Sequence, residues 1–213
     1  MGTATAPISR RRKAEPTDEN ELLMTFSYSV DGEKYDRCNS QITGTCESYC
    51  GEFDDIAVGQ EPAKIGTITM RHIRMGMALT AGLHSYDVFD CHSSTLQFYS
   101  VAYRHEGDGS FALKPRYTDD TTAWTGCDIL IIETLKVHEQ FHGRGIGSFM
   151  LTEALSVFGK SSLVMLEAVP LPFDTNRPKD QLALLRRRLY RFYRRFGFQR
   201  VGRSSYWWKY NEE

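Results

Sequence analysis

No apolar run in the sequence approaches the roughly 18 residues that a membrane-spanning helix requires, so no membrane association is expected. Cysteine is scarce and odd in number, five in 213 residues. A chain of this size does not need disulfide staples, and reduced thiols in a cytoplasmic setting are the expectation. Cys38, Cys46 and Cys50 lie close together, and Cys91 or His92 would have to complete a zinc site. Their spacing is not that of a zinc finger, and no metal is expected. Net charge is nearly absent, at −1, too little for a polycation that coats nucleic acid, so no nucleic acid is expected as a bulk partner. Hydrophobic residues make up 41% and charged residues 25%, which excludes a collagen-like, mucin-like or wholly disordered chain. Met1 to Lys13 has no apolar core of the kind a secretory signal carries, and none is expected there.

What is present is unevenly arranged. Residues 1–120 hold 18 acids and 12 bases, whereas residues 121–213 hold 9 acids and 14 bases. The C-terminal part therefore has a basic character that suits contact with an anion. Residues 1–20 have almost no large apolar side chains and read as a flexible tail. Residues 21–213 read as a single domain with a helical insertion near 85–125.

Alternating apolar residues predict strands over Leu22–Val30, Ile56–Val58 and Ile65–Ile73. Residues 31–53 are rich in Gly, Ser, Thr and Asn and read as a loop or short hairpin. Residues 85–104 switch to helical spacing through Val88, Cys91, Thr95, Phe98 and Ala102, with Asp87 as the expected cap. Residues 106–127 read as a connection. Ile129–Leu135 is a continuous apolar strand interrupted by Glu133, and it ends at Val137. An amphipathic helix follows, from Ile146 to Phe158, with Gly159 placed to end it. Leu163–Val169 predicts a further strand, broken by Pro170 and Pro172. Pro178 opens the next helix. Its buried stripe is Leu182, Leu185, Leu189, Phe192 and Phe196, and Gly197 stops it. Val201 and Tyr206–Tyr210 supply one or two closing strands. The alternation predicts an α/β or α+β layered fold.

The sharpest local feature is the turn His142-Gly143-Arg144-Gly145-Ile146-Gly147-Ser148. Alternate glycines let the backbone curl with its N–H groups inward, and the helix behind them adds free N–H groups and a positive dipole end. Such a turn cradles a phosphate or pyrophosphate, with Arg144 adding charge. A Rossmann fingerprint needs Gly-x-Gly-x-x-Gly at the first strand-to-helix turn, and a Walker loop needs Gly-Lys-Ser/Thr after its glycines. This turn has neither.

The segment Leu135–Leu151 resembles the acetyl-CoA loop of the GNAT superfamily of N-acetyltransferases, whose pattern is Gln/Arg-x-x-Gly-x-Gly/Ala after a strand ending in Leu-x-Val. Leu135 and Val137 match the strand end. The loop matches in two registers, Gln140 to Gly145 or His142 to Gly147. About 50 residues on, Tyr193-Arg194-Arg195-Phe196-Gly197-Phe198 resembles the family's Tyr-x-x-x-Gly-Phe. Where the family usually has an Asn, seven residues before the Tyr, this sequence has Arg186.

The resemblance implies a mixed, mostly antiparallel central sheet flanked by helices and splayed between its fourth and fifth strands. It implies acetyl-CoA as co-substrate and transfer of the acetyl group to a primary amine by direct attack. The backbone of Leu135 and Val137 would hold the pantetheine arm, and His142, Gly143, Arg144, Gly145, Ile146, Gly147 and Ser148 the pyrophosphate. Tyr193 occupies the usual position of the acid that protonates the leaving thiolate. An attacking ammonium must first lose a proton, which a carboxylate or water chain assists. Glu133, expected on the same face as Leu135 and Val137, and Glu167 are the two candidates. A carboxylate inside an apolar strand is costly without a purpose or a partner, and an arginine partner is the alternative reading for each. The insertion is expected to shape the site for the acceptor amine, which the sequence does not identify.

Arg186, Arg187, Arg188, Arg191, Arg194 and Arg195 line the helix that carries Tyr193. They read as a solvated face, as contacts for the 3′-phosphate of CoA, or as a surface for an acidic or nucleic-acid partner in a non-catalytic module. Trp207 and Trp208 alternate across a strand, so one faces the core, and the other reads as lining an acceptor pocket or a homodimer interface, or as a lone exposed aromatic of the common kind.

Overall fold

The computed structural model describes residues 23–32, 39–49, 63–83, 85–90, 97–98, 100, 103–105, 111–114, 127–160, 162–171 and 178–211. The expected tail, the strand over Ile56–Val58, and Cys38, Cys50, Cys91 and His92 lie outside the described residues. The strands are β1 (Leu23–Gly32), β2 (Asn39–Tyr49), β3 (Ala63–Ile73), β4 (Tyr103–His105), β5 (Phe111–Leu113), β6 (Asp128–Val137), β7 (Ser162–Glu167), β8 (Gln199–Arg200) and β9 (Tyr206–Asn211). The helices are α1 (Met75–Thr80), α2 (Ser85–Asp90), α3 (Ile146–Phe158) and α4 (Lys179–Arg195). Seven strands form one sheet in the order β1-β2-β3-β6-β7-β9-β8. Only β6 and β7 run parallel, as the α3 crossover between them requires, and every other pairing is antiparallel. The fold is a mixed α/β sheet flanked by helices. Among the described residues no helix is long and apolar enough to cross a membrane.

Each face of the sheet is covered. On one, α3, α4 and the turn after α4 pack Met150, Leu151, Ala154, Tyr193 and Phe198 against Ile68, Met70, Leu130, Ile132, Val164, Leu166 and Trp207. On the other, α1, α2, Phe98 and Tyr103 pack against Ile73, Ile129, Ile131, Leu163 and Met165. The central strands β6 and β7 are buried on both sides, which explains their unbroken apolar runs. Trp207 joins the first face and Trp208 the second. Trp207 is buried, whereas Trp208 packs against the second core while remaining half-buried.

A β-bulge positions the site. Thr69 pairs with Thr134 and Met70 with Ile132, so Glu133 is an extra residue in β6. One inserted residue exchanges the faces of everything beyond it. Leu130 and Ile132 face α3 before the bulge, whereas Leu135 and Val137 face it afterwards. Pairing of β6 with β7 ends at Ile132 opposite Leu166. Beyond that pair, β7 turns away through Ala168, whose N–H is donated to Ser205 O at 2.8 Å. The expected splay is thus a fork between the fourth and fifth strands of the large sheet.

Several local expectations differ. Residues 39–49 form a full strand, because Ile42 and Cys46 supply an inward face that the polar composition conceals. Of the helix expected over 85–104, Ser85–Asp90 and residues 97, 98 and 100 are helical, Asp87 lies inside the first turn of α2 instead of capping it, and Tyr103–His105 is extended. That segment pairs with Phe111–Leu113, inside the expected connection. Gly159 ends α3 with right-handed φ of −91°. Its smallness matters for another reason: a Cβ there would stand 2.8 Å from Leu155 O.

Candidate functional site

The mouth of the fork and the turn after β6 form one continuous surface. His138 donates its N–H to Ile65 O at 2.9 Å. By the alternation of an antiparallel ladder, Lys136 and Thr134 then direct their N–H and C=O groups to β3, while Leu135 and Val137 direct theirs into the fork. The Val137 carbonyl accepts a hydrogen bond from His142 Nε2 at 2.9 Å. That bond assigns a role to the His142 side chain: it ties the turn back to the strand end.

A short 3₁₀ turn, Glu139–Phe141, follows β6, and Phe141 anchors it in the core. Arg144 lies over the Phe141 ring, 5.8 Å from its centroid, within cation–π range. Gly143 and Gly145 adopt φ of +80° and +78°, the left-handed region that L side chains rarely enter. A Cβ on either would meet nothing within 4 Å. Their smallness leaves open space on the side the turn presents outward. Gly145 is the N-cap of α3, with no side chain to bond the helix start, and no acid occupies the first turn. Phe149 makes the first helical bond, to Gly145 O at 2.9 Å. The N–H groups of Ile146, Gly147 and Ser148 precede it and have no intrahelical partner. The two glycines whose φ is positive are those of the register beginning at Gln140. Gly147 is already helical, and a Cβ there would make ordinary contact with Val137 at 3.7 Å and Phe192 at 3.8 Å.

Tyr193 is buried in the α3–α4 core against Phe192 and Phe198, with ring centroids 5.1 and 5.8 Å away. Burial pushes its phenol up to about 12, so it keeps its proton at neutral pH.

The two glutamates are placed by the fork. Each directly follows the last residue through which β6 and β7 pair with one another, Ile132 or Leu166. The bulge puts Glu133 on the face that α1 and α2 cover, opposite Leu135 and Val137, which corrects the expectation that the three share a face. There its Oε1 lies 3.1 Å from Arg71 Nε. Arg71 sits in β3, and its side chain is 6% exposed against 19% for Glu133. Glu167 is exposed, and its Oε1 accepts a hydrogen bond from Ser205 at 2.6 Å. Tyr206, paired with Glu167 across the strands, donates its hydroxyl to Gln97 Oε1 at 3.1 Å. Phe98 stacks edge-on to Tyr206 with centroids 4.6 Å apart. The segment that follows α2 therefore reaches the fork through Gln97 and Phe98.

No protein-family model matches the sequence, and no curated protein matches it. Among solved structures, a crystal structure of a tyrosine-to-phenylalanine mutant of KacT overlays with a TM-score of 0.38 and 10% identity, over 79% of this chain and 70% of that one. A likeness of that degree carries no functional argument.

Arg71 was not legible as a site residue. Its signal, a charged residue at an inward position of a strand, is diluted by the mixed character of β3 on both faces. Cys46 is fully buried in the core beneath α3, and burial pushes its thiol up to about 12. Among the described residues no group of three potential metal ligands comes together.

Proposed function

We propose that the chain transfers an acetyl group from acetyl-CoA to a primary amine. The observation that carries the reading is the join of an open fork between β6 and β7 to a glycine turn with outward space and free N–H groups. The residues fit the co-substrate in chemistry and in order. Gly143, Gly145 and the first turn of α3 offer backbone donors to the pyrophosphate, with Arg144 beside them. Leu135 offers both backbone groups to the amide-bearing pantetheine arm, and Val137 offers its N–H. In the transfer the acceptor nitrogen bonds to the acetyl carbon and the carbon–sulfur bond breaks. Two protons leave the acceptor, counted from its ammonium form, and one goes to the sulfur.

Tyr193 is the proposed acid, since its protonated phenol is the form that can donate. Glu133 or Glu167 is the proposed base or water-positioning group. Glu133 has Arg71 on one oxygen, which fixes its orientation at the head of the fork. Glu167 is freer and faces solvent. The acceptor would approach from the face that α1 and α2 cover, where both carboxylates lie.

Calorimetry with acetyl-CoA tests the reading. The wild-type chain is expected to bind, and Gly145→Glu, which strains the turn and sets a carboxylate in it, is expected not to. Tyr193→Phe is expected to bind acetyl-CoA while losing turnover in a thiol-release assay. Absence of binding to the wild-type chain would remove the proposal, and undiminished turnover in Tyr193→Phe would remove the role of the tyrosine.

A further inference from the structure

The arginines of α4 are arranged more sharply than a solvated face requires. Arg187, Arg188, Arg191, Arg194 and Arg195 recur at the spacing i, i+1, i+4, i+7, i+8, which is one stripe of a helix. All five are exposed. The stripe lies away from Leu189, Phe192, Tyr193 and Phe196, which turn to the core. It spans about 12 Å along the axis. Arg191 stands at its centre, with like charges three and four residues away on both sides, an arrangement that weakens a helix when nothing offsets it.

Nothing among the described residues offsets it. The one bond formed within the stripe joins Arg191 Nε to Arg187 O at 3.5 Å. Elsewhere among the described residues the Arg71 guanidinium does meet a carboxylate, that of Glu133. Residues 178–211 hold ten bases and a single acid, Asp180. A chain of net charge −1 has thus gathered unpaired positive charge on one ridge. The choice of arginine over lysine within the stripe favours planar, bidentate anions. The ridge also borders the glycine turn, because Phe192, next to Arg188 and Arg195 on the helix surface, reaches within 3.8 Å of the Cβ position of Gly147.

We infer that this stripe is a docking surface for the sugar-phosphate backbone of a nucleic acid. An acidic protein is the weaker fit, since protein interfaces centre on aromatic and apolar anchors. The stripe has no aromatic residue, and its apolar neighbour Leu184 stands alone at 54% exposure. Backbone recognition needs charge and spacing only, and it carries no sequence preference.

The test is fluorescence anisotropy with a labelled oligouridine RNA over a salt series. Binding is expected to fall with salt at a log–log slope of about −2 to −4, as for three to five released counterions. The triple variant Arg187→Gln/Arg191→Gln/Arg195→Gln is expected to bind about tenfold more weakly or worse, with a slope shallower by about 2 to 3. A second triple variant, Arg186→Gln/Arg203→Gln/Lys209→Gln, removes equal charge off the stripe and is expected to stay within about twofold of wild type. Circular dichroism and acetyl-CoA calorimetry on both variants read folding and co-substrate binding separately from RNA docking, so a loss of RNA binding with the fold intact is assigned to the stripe whether or not acetyl-CoA binding changes. Binding without salt dependence, equal losses in both variants, or tighter binding of polyglutamate than of RNA would each overturn the inference.

Discussion

Arg71 and Glu133 illustrate what a single residue can decide. The pair bridges β3 and β6, with the Arg71 side chain 6% and that of Glu133 19% exposed, so neither charge is well served by water. Removing one partner leaves the other stranded, whereas removing both leaves an apolar contact. Arg71→Met is therefore expected to destabilise the chain by about 3–5 kcal/mol, and Arg71→Met/Glu133→Leu to recover most of that loss. Urea denaturation of both variants checks this, and equal destabilisation would mean that the pair is not the relevant unit. His72, next along β3, gives a pH signature. Burial holds its imidazole below the usual value, Arg74 lowers it further, and Asp128 works in the opposite direction. The unfolded chain then takes up the proton first as pH falls. Stability should decline below about pH 6.5 and level off under the folded-state value. The difference in urea midpoint between wild type and His72→Gln, followed from pH 7.5 downward, should shrink or invert over that window.

At the scale of elements, the glycine turn separates conformation from contact. Gly143→Ala and Gly145→Ala place a Cβ in open space, so any loss of stability comes from backbone strain, about 1–2 kcal/mol each. Gly147→Ala sits in a helix with room for its methyl group and should gain up to about 1 kcal/mol. Thermal melts of the three variants test this, and a loss in Gly147→Ala would show that α3 begins later than Ile146. These elements are also where the sequence was most and least legible. From Ile129 onward each segment announces itself. The apolar runs of β6 and β7 need burial on both faces, and α3 and α4 carry helical periodicity with glycine after each. β2 is hidden in the sequence because Asn39–Tyr49 is rich in Ser, Thr, Gln and Gly, and its inward face is Ser40, Ile42, Gly44 and Cys46, with only two large apolar or sulfur side chains among them. Gly44 there is set by packing, since a Cβ would stand 2.7 Å from Ile68 and Phe26. Strict alternation along β6 sets Glu133 on the wrong face because the bulge interrupts it. A bulge depends on how two strands pair, and no single strand's sequence records it.

For the whole molecule, the sheet is a slab held between two cores, and the fork is the place where the slab opens. Local stability should follow that geometry. Ile129–Ile132 and Leu163–Leu166 are paired to neighbours and buried on both sides. Their amides should be the slowest to exchange with solvent. Past Ile132 the ladder continues on the β3 side only. Lys136 and Thr134 remain paired, while the N–H groups of Leu135 and Val137 face the fork. Without ligand, Leu135 and Val137 should exchange much faster than Lys136 between them, a difference that strand fraying would not produce. A ligand that adds to β6 as a strand would supply acceptors to those amides. Acetyl-CoA should therefore slow Leu135 and Val137 while leaving Lys136 unchanged, and it should also slow the amides of Gly143 to Ser148. Amide exchange read residue by residue by NMR resolves these neighbours. Uniform slowing along β6 would indicate general stabilisation by binding. Slowing confined to Gly143–Ser148 would place only the phosphates on the chain and leave the fork out of the reaction.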